Sequence, residues 1–186
     1  AALDGIEYRL KGPQGVSNPV RLGFAMAPII IELLAVPVPV HSLAPPCELA
    51  AWFRPRGEPV VAVFDAKKGD VWWLEVFSQR LGAPTDPFLL IERVTKNDKG
   101  VESASTVAEV NDSDTNLGGT EFNTVSRDPT YRFEAKEDGT FRVQILDLFT
   151  RNPGAVRHPF RLPARTAAPH FPLAPLAPHP APPPAP

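Results

Sequence analysis

Between Cys47 and Leu162 the chain alternates apolar and polar residues with a period of two, and the runs are short. Successive side chains of a strand point to opposite faces, so this pattern predicts half-buried β-strands. Candidate strands cover Cys47–Phe53, Val60–Phe64, Val71–Phe77, Phe88–Val94, Tyr131–Ala135, Thr140–Asp147 and His158–Leu162. In Val71–Phe77, Trp72, Leu74 and Val76 share one face, and Trp73, Glu75 and Phe77 share the other. Thr140–Asp147 turns Phe141, Val143 and Ile145 inward against Arg142 and Gln144. Turns rich in Gly and Asp separate these runs. Lys67–Asp70 joins two strands, and Lys136–Gly139 is expected to close a hairpin between Tyr131–Ala135 and Thr140–Asp147. No segment keeps a 3.6-residue apolar period, so the expected class is all-β, an antiparallel β-sandwich or jelly roll.

The flanks differ from this body. Residues 1–31 predict a β-hairpin, Ile6–Leu10 and Val16–Ala25 about the turn Lys11–Gly15. An isolated hairpin is marginal in water, so it should pack on the main domain or on an upstream one. Residues 32–45 read as a proline-rich extended linker, residues 46–163 as the sandwich, and residues 164–186 as a proline-rich extended tail. In that tail Pro169, Pro172, Pro175 and Pro178 recur every third residue, the repeat of a polyproline II helix. These prolines, with Phe171, are the expected partner-binding residues of the tail.

Composition narrows the function classes. A net charge of −2 argues against nucleic acid, which is usually met by a basic face. No acidic residue follows Asp147, whereas Arg151, Arg157, Arg161 and Arg165 do, so the end of the chain is basic. The single cysteine, Cys47, excludes an intrachain disulfide and multi-cysteine zinc sites. It reads as a small buried hydrophobe. Prolines at 28, 37 and 39 interrupt the longest apolar run, Phe24–Val40, and leave no transmembrane helix. The chain opens at Ala1 without a signal-peptide layout, as a processed form or a piece of a longer polypeptide would.

The order of motifs is more informative than any one of them. It runs FDAKKGD at Phe64–Asp70, DPFL at Asp86–Leu89, NDSD at Asn111–Asp114, Asp128 before a strand, DGTF at Asp138–Phe141, and Phe160-Arg161-Leu162. This order resembles the bacterial pre-peptidase C-terminal domain over about residues 46–163. The chain departs from that pattern at Glu58–Val61, where an acidic entry to the first motif is usual, and at Phe141 and Phe160, where tyrosines are usual. The resemblance implies an extracytoplasmic, non-catalytic β-sandwich appended to secreted enzymes or surface proteins. It also implies that acids at Asp86, the Asn111–Asp112 loop and Asp128 converge at one end of the sandwich.

Asp112-x-Asp114-x-Asn116 followed by Gly118-Gly119 places alternate oxygens on a tight loop, as a hard cation such as Ca²⁺ requires. A calcium site would use Asp86, Asp112, Asp114 and Asp128. The competing reading is turn chemistry, since Asp and Asn bond their own backbone, and Asp86-Pro87 and Asp128-Pro129 both start turns. No other cofactor is expected. Three of the four histidines, His41, His158, His170 and His179, sit beside proline, and no nucleophile–base constellation is present. Of the adjacent Trp72 and Trp73, one must face the core, and the other lies either at the surface or under a second layer.

The expectation is therefore a structural module that docks on protein subunits of a larger complex through its sandwich and extended arms. The alternative is a carbohydrate-binding accessory module using an exposed tryptophan. The setting expected is periplasmic, cell-surface or secreted, and a place at the periphery of a membrane complex stays open.

Overall fold

A computed structural model describes residues 5–32, 40–113, 116, 123–149 and 157–166. Among these the regular elements are fourteen β-strands and two short 3₁₀ turns. The N-terminal part holds β1 (Gly5–Tyr8), β2 (Lys11–Gly12), β3 (Gly15–Val16), β4 (Val20–Gly23), β5 (Ile29–Ile31) and β6 (His41–Ser42). The body follows with β7 (Cys47–Trp52), β8 (Val60–Ala66), β9 (Val71–Glu75), β10 (Pro87–Lys96) and β11 (Glu102–Val110). It ends with β12 (Thr130–Glu134), β13 (Gly139–Asp147) and β14 (Pro159–Thr166).

Two five-stranded sheets result, ordered β11-β10-β13-β8-β6 and β12-β9-β14-β7-β5. Their inner faces carry the residues that alternation turned inward. The first sheet contributes Val60, Ala62, Phe64, Leu89, Ile91, Phe141, Val143 and Ile145. The second contributes Leu49, Ala51, Trp72, Leu74, Phe133, Phe160, Leu162 and Ala164. The architecture is the all-β sandwich expected. Pairing is antiparallel except at one edge of each sheet, where β5 and β6 run parallel to β7 and β8.

The Lys136–Gly139 connection is not a hairpin. β12 pairs with β9, and β13 pairs with β8 and β10, so the chain crosses between sheets there. Lys67–Asp70 crosses in the same way from β8 to β9. The two crossovers lie side by side and bond each other. Gly69 N–H donates to Ala135 O at 2.8 Å, Ala135 N–H to Asp70 O at 2.9 Å, and Lys68 N–H to an Asp138 carboxylate oxygen at 2.8 Å. Gly69 sits at φ 92°, a conformation that L side chains rarely adopt. The reason for crossing lies beneath. Phe64, Trp72, Phe133 and Phe141 form one ring cluster, with Phe64–Trp72 centroids at 4.5 Å and Phe133–Phe141 at 4.8 Å. Rings from facing sheets interdigitate, whereas a hairpin would have set Phe133 and Phe141 in one layer.

Three further differences have local causes. β11 is an edge strand of small and polar residues with little behind it to bury, so apolar alternation does not mark it. β6 lies in the segment read as linker and β5 at the end of the segment read as hairpin, because the Ile29–Ile31 run can extend a sheet edge while Ile30 packs on the core. β14 continues to Thr166, past the expected tail boundary, since Ala164 is buried and Arg165 pairs with Glu75.

Replacing Phe133 by Ala should cost about 3–5 kcal/mol of stability, the range for emptying a buried aromatic site. Val107→Ala on the exposed edge strand should stay within about 0.5 kcal/mol. Urea unfolding followed by circular dichroism compares the two, and equal losses would contradict the packing described.

Candidate functional site

The chain fully buries the carboxylate of Asp128 and surrounds it with donors. One oxygen accepts the backbone N–H groups of Ser78 at 3.1 Å and Gln79 at 2.8 Å. The other accepts Arg80 N–H at 2.9 Å and Arg80 Nε–H at 3.0 Å. Arg80 also donates to Glu75 at 2.8 Å and to Val76 O at 2.7 Å, and its guanidinium lies 4.1 Å from the Phe77 ring centre. Ser126 completes the knot, its hydroxyl oxygen accepting Asp128 N–H and its proton going to the Gln79 side chain. Both oxygens of Asp128 are therefore committed to holding the Gln79–Leu81 turn. Removing this carboxylate would leave three backbone donors unpaired and cost Arg80 one of its two carboxylate partners, at a loss of about 3–5 kcal/mol.

Asp86 lies apart from this knot, in the company of Asp112 and Asp147. Burial pushes the Asp86 carboxyl above its ordinary range, the Asp112 and Asp147 charges add to the rise, and Arg127 opposes it. Asp147 was not singled out from sequence, yet it is buried and accepts Asp86 N–H at 2.8 Å and Phe149 N–H at 3.1 Å. Its phase was readable, because Phe141, Val143 and Ile145 set the inward parity that Asp147 continues. The structure thus brings Asp86 and Asp112 into electrostatic reach, gives Asp128 to a backbone turn, and leaves Asp114 outside the described residues. Among the described residues no group of three or more His, Cys, Asp or Glu side chains is arranged to hold a metal ion.

The other chemistry-bearing groups do structural work. Cys47 is buried, and desolvation raises its thiol pKa, which suppresses the reactive thiolate. His41 is buried with Nε2 3.7 Å from Glu32, which also pairs with Arg54 and accepts Trp52 N–H at 3.4 Å. This cluster pins the N-terminal arm to the second sheet. Glu48 is buried beneath Arg161, whose Nη2 donates to it at 2.8 Å and to Phe24 O at 2.9 Å. Trp72 is 8% exposed and packs on Phe64, while Trp73 is 36% exposed on the outer face between Arg132 and Arg165. Pro169, Phe171, Pro172, Pro175 and Pro178 lie outside the described residues.

The N-terminal hairpin is the unexpected surface. The pairs Ile6↔Leu22 and Tyr8↔Val20 put these four side chains on one face, with Leu10 and Phe24 in phase. All six are 45% to 63% exposed. Glu7, Arg21 and Pro19 lie in the opposite phase and line a groove of about 500 Å³ together with Gln79–Gly82 and Asn123–Ser126. Glu7 and Arg21 are themselves 60% and 51% exposed, so the hairpin leaves both faces open, its charged one across this groove from the sandwich and its apolar one turned away from it.

The Asp86 shift gives a pH test. A folded pKa above the unfolded one means that the ionised form opposes folding, and that this penalty disappears as pH falls below the unfolded carboxylate range. Asp86→Asn should raise Tm near pH 7 and leave it unchanged around pH 3. A Tm that instead falls, and only when Ca²⁺ is present, would show that the carboxylate holds a cation.

No family model matches the chain, and no curated protein matches it. Among solved structures, the pre-peptidase C-terminal domain of collagenase from Bacillus anthracis aligns with a TM-score of 0.46 at 8% identity. The alignment covers 70% of this chain and 99% of that one. CorA, a surface-associated copper-binding protein important in Methylomicrobium album BG8 copper acquisition, aligns with a TM-score of 0.43 at 7% identity. There the coverage is 68% of this chain and 97% of the other. The first of these is the kind of domain that the motif order from Phe64 to Leu162 resembles.

Proposed function

We propose that the chain is a non-catalytic docking module, an extracytoplasmic accessory part of a larger protein assembly. The single observation that carries this reading is the outward apolar face of the N-terminal hairpin. Six large side chains about half exposed present on the order of 500 Å² of uncharged surface. Apolar surface of this kind, rimmed by polar residues, marks an interaction site. Among the described residues β1 and β4 pair only with each other, so the hairpin can also accept further strands.

The partner that fits is the apolar face of another β-sheet in an adjoining protein unit, stacked at about 10 Å. Two copies of this face would bury about 1,000 Å², short of the roughly 1,200–2,000 Å² of a stable free-standing interface. A tethered or otherwise preassembled partner needs less area, because its effective concentration is high. The lack of catalysis is supported by the structural engagement of Cys47, His41, Asp128 and Glu75. The extracytoplasmic setting rests on the motif order alone. A second reading, carbohydrate binding, draws on Trp73, whose exposed indole could stack on a sugar ring.

A photo-crosslinking residue placed at Leu22 in the natural host tests the docking reading. We expect one discrete adduct, lost when Tyr8→Lys is added, while the same residue at Val101 gives none. Crosslinking that is diffuse or unaffected by Tyr8→Lys contradicts it. Retention on a glycan column that Trp73→Ala abolishes would favour the second reading.

A further inference from the structure

The outer face of the first sheet carries an apolar groove that the docking reading does not use. Val61 and Val63 on β8, Val94 on β10, and Val40 line it with Thr140, Arg142, Lys96 and Glu102, around about 600 Å³. The valines of β8 point away from the core because Val60, Ala62 and Phe64 take the inward positions. The charges of Arg142, Glu92 and Glu102 are matched to one another. Arg142 donates to Glu92 at 2.8 Å and to Glu102 at 2.7 Å, and Gln144 donates to Glu92 at 2.7 Å. The Arg142 hydrogen bond holds the Glu92 carboxyl below its usual range, with Gln144 contributing. Among the described residues Lys96 at the rim has no ion pair, but the rest of the floor is valine and matched charge, which favours an uncharged, apolar occupant.

We infer that this groove binds the chain's own C-terminal segment, residues 167–186, as a polyproline II ridge. Three observations select that occupant. The first is position. β14 ends with Thr166 paired to Trp72, beside the Lys67–Asp70 crossover. Thr140, paired with Asp65, lies at the same end of the sandwich, and Val63 stands two residues before Asp65 on the strand that leads into that crossover. The second is length. Rounding a sandwich whose sheets are about 10 Å apart takes about six residues at roughly 3.1 Å each. That brings Pro172–Pro178 to the valines. The third is chemistry. Residues 167–186 carry no Asp, Glu, Lys or Arg, and Pro169, Pro172, Pro175 and Pro178 repeat every third residue. Prolines lack the N–H needed to add a strand, so such a segment binds through its ridge of rings and apolar side chains. Its preformed extended helix loses little entropy on docking. The tether makes the event intramolecular, so a modest contact area is enough.

The test uses the full chain. With Cys47→Ser, a nitroxide attached at Ala174→Cys reports which amides the tail approaches. We expect strong relaxation of Val61, Val63, Val94 and Thr140 amides, abolished by Val63→Arg, a half-buried outer-face position whose substitution leaves the core intact. Relaxation confined to the neighbourhood of Thr166, or centred on Tyr8 and Leu22, overturns the inference. So does relaxation that survives Val63→Arg. Mixing nitroxide-bearing chains with separately isotope-labelled ones separates cis from trans, and groove relaxation seen only between chains overturns it too. None of these outcomes depends on the hairpin partner, so the two proposals fail separately.

Discussion

The packing of four rings across the gap between the sheets constrains everything else. Phe64 and Phe141 come from one sheet, Trp72 and Phe133 from the other, and the chain must cross twice to deliver them. Those crossings, Lys67–Asp70 and Lys136–Gly139, are short and bonded to each other. Among the described residues they leave no loop long enough at that end to build a cleft. The same crossings fix which residues of β8, β9, β12 and β13 face outward. The valine groove, the exposed Trp73 and the alternation of Arg142 and Gln144 therefore all follow from where the rings sit.

Buried charge sets the character of the second sheet. Glu48, Glu75 and Asp128 are buried, and each meets an arginine: Arg161, then Arg80 with Arg165, then Arg80 again. An isolated buried carboxylate would be heavily penalised, whereas a hydrogen-bonded ion pair is tolerated. These acids and arginines are thus held by one another. Groups engaged in this way serve architecture. The same pairs fasten the N-terminal arm, since Arg161 also holds Phe24 O and Glu32 joins Arg54 and His41.

Much of this was legible in the chain. Period-two alternation located the seven main strands and put Trp72 and Trp73 on opposite faces, because burial on one face leaves a strong imprint, but which of the two faces the core came only from the structure. β11 left none, since Glu102–Val110 is an edge strand, mostly exposed, with a bulge at Val107. Its turn was nevertheless marked, as Asn97 caps Lys99 and Val101 ahead of Gly100. The partner of β12 was not legible, because alternation specifies a face and not a neighbour. Asp128 shows the limit for sites. A short acid before a strand suits either a cation or three backbone N–H groups, and only the position of Ser78–Arg80 decides.

The hairpin inverts the rule that serves the rest of the molecule. Its apolar residues are as regularly spaced as those of β13, yet they face outward while Glu7 and Arg21 face the body. Local sequence prepares that face for burial, and this chain's sandwich does not supply the cover. Amide hydrogen exchange at Ile6, Tyr8, Val20 and Leu22 addresses this most directly, measured on the chain alone and in its native assembly. The account predicts exchange far faster than at Val143 in the free chain, and protection approaching that of Val143 in the assembly. Protection equal to that of Val143 in the free chain, or no gain on assembly, would contradict it.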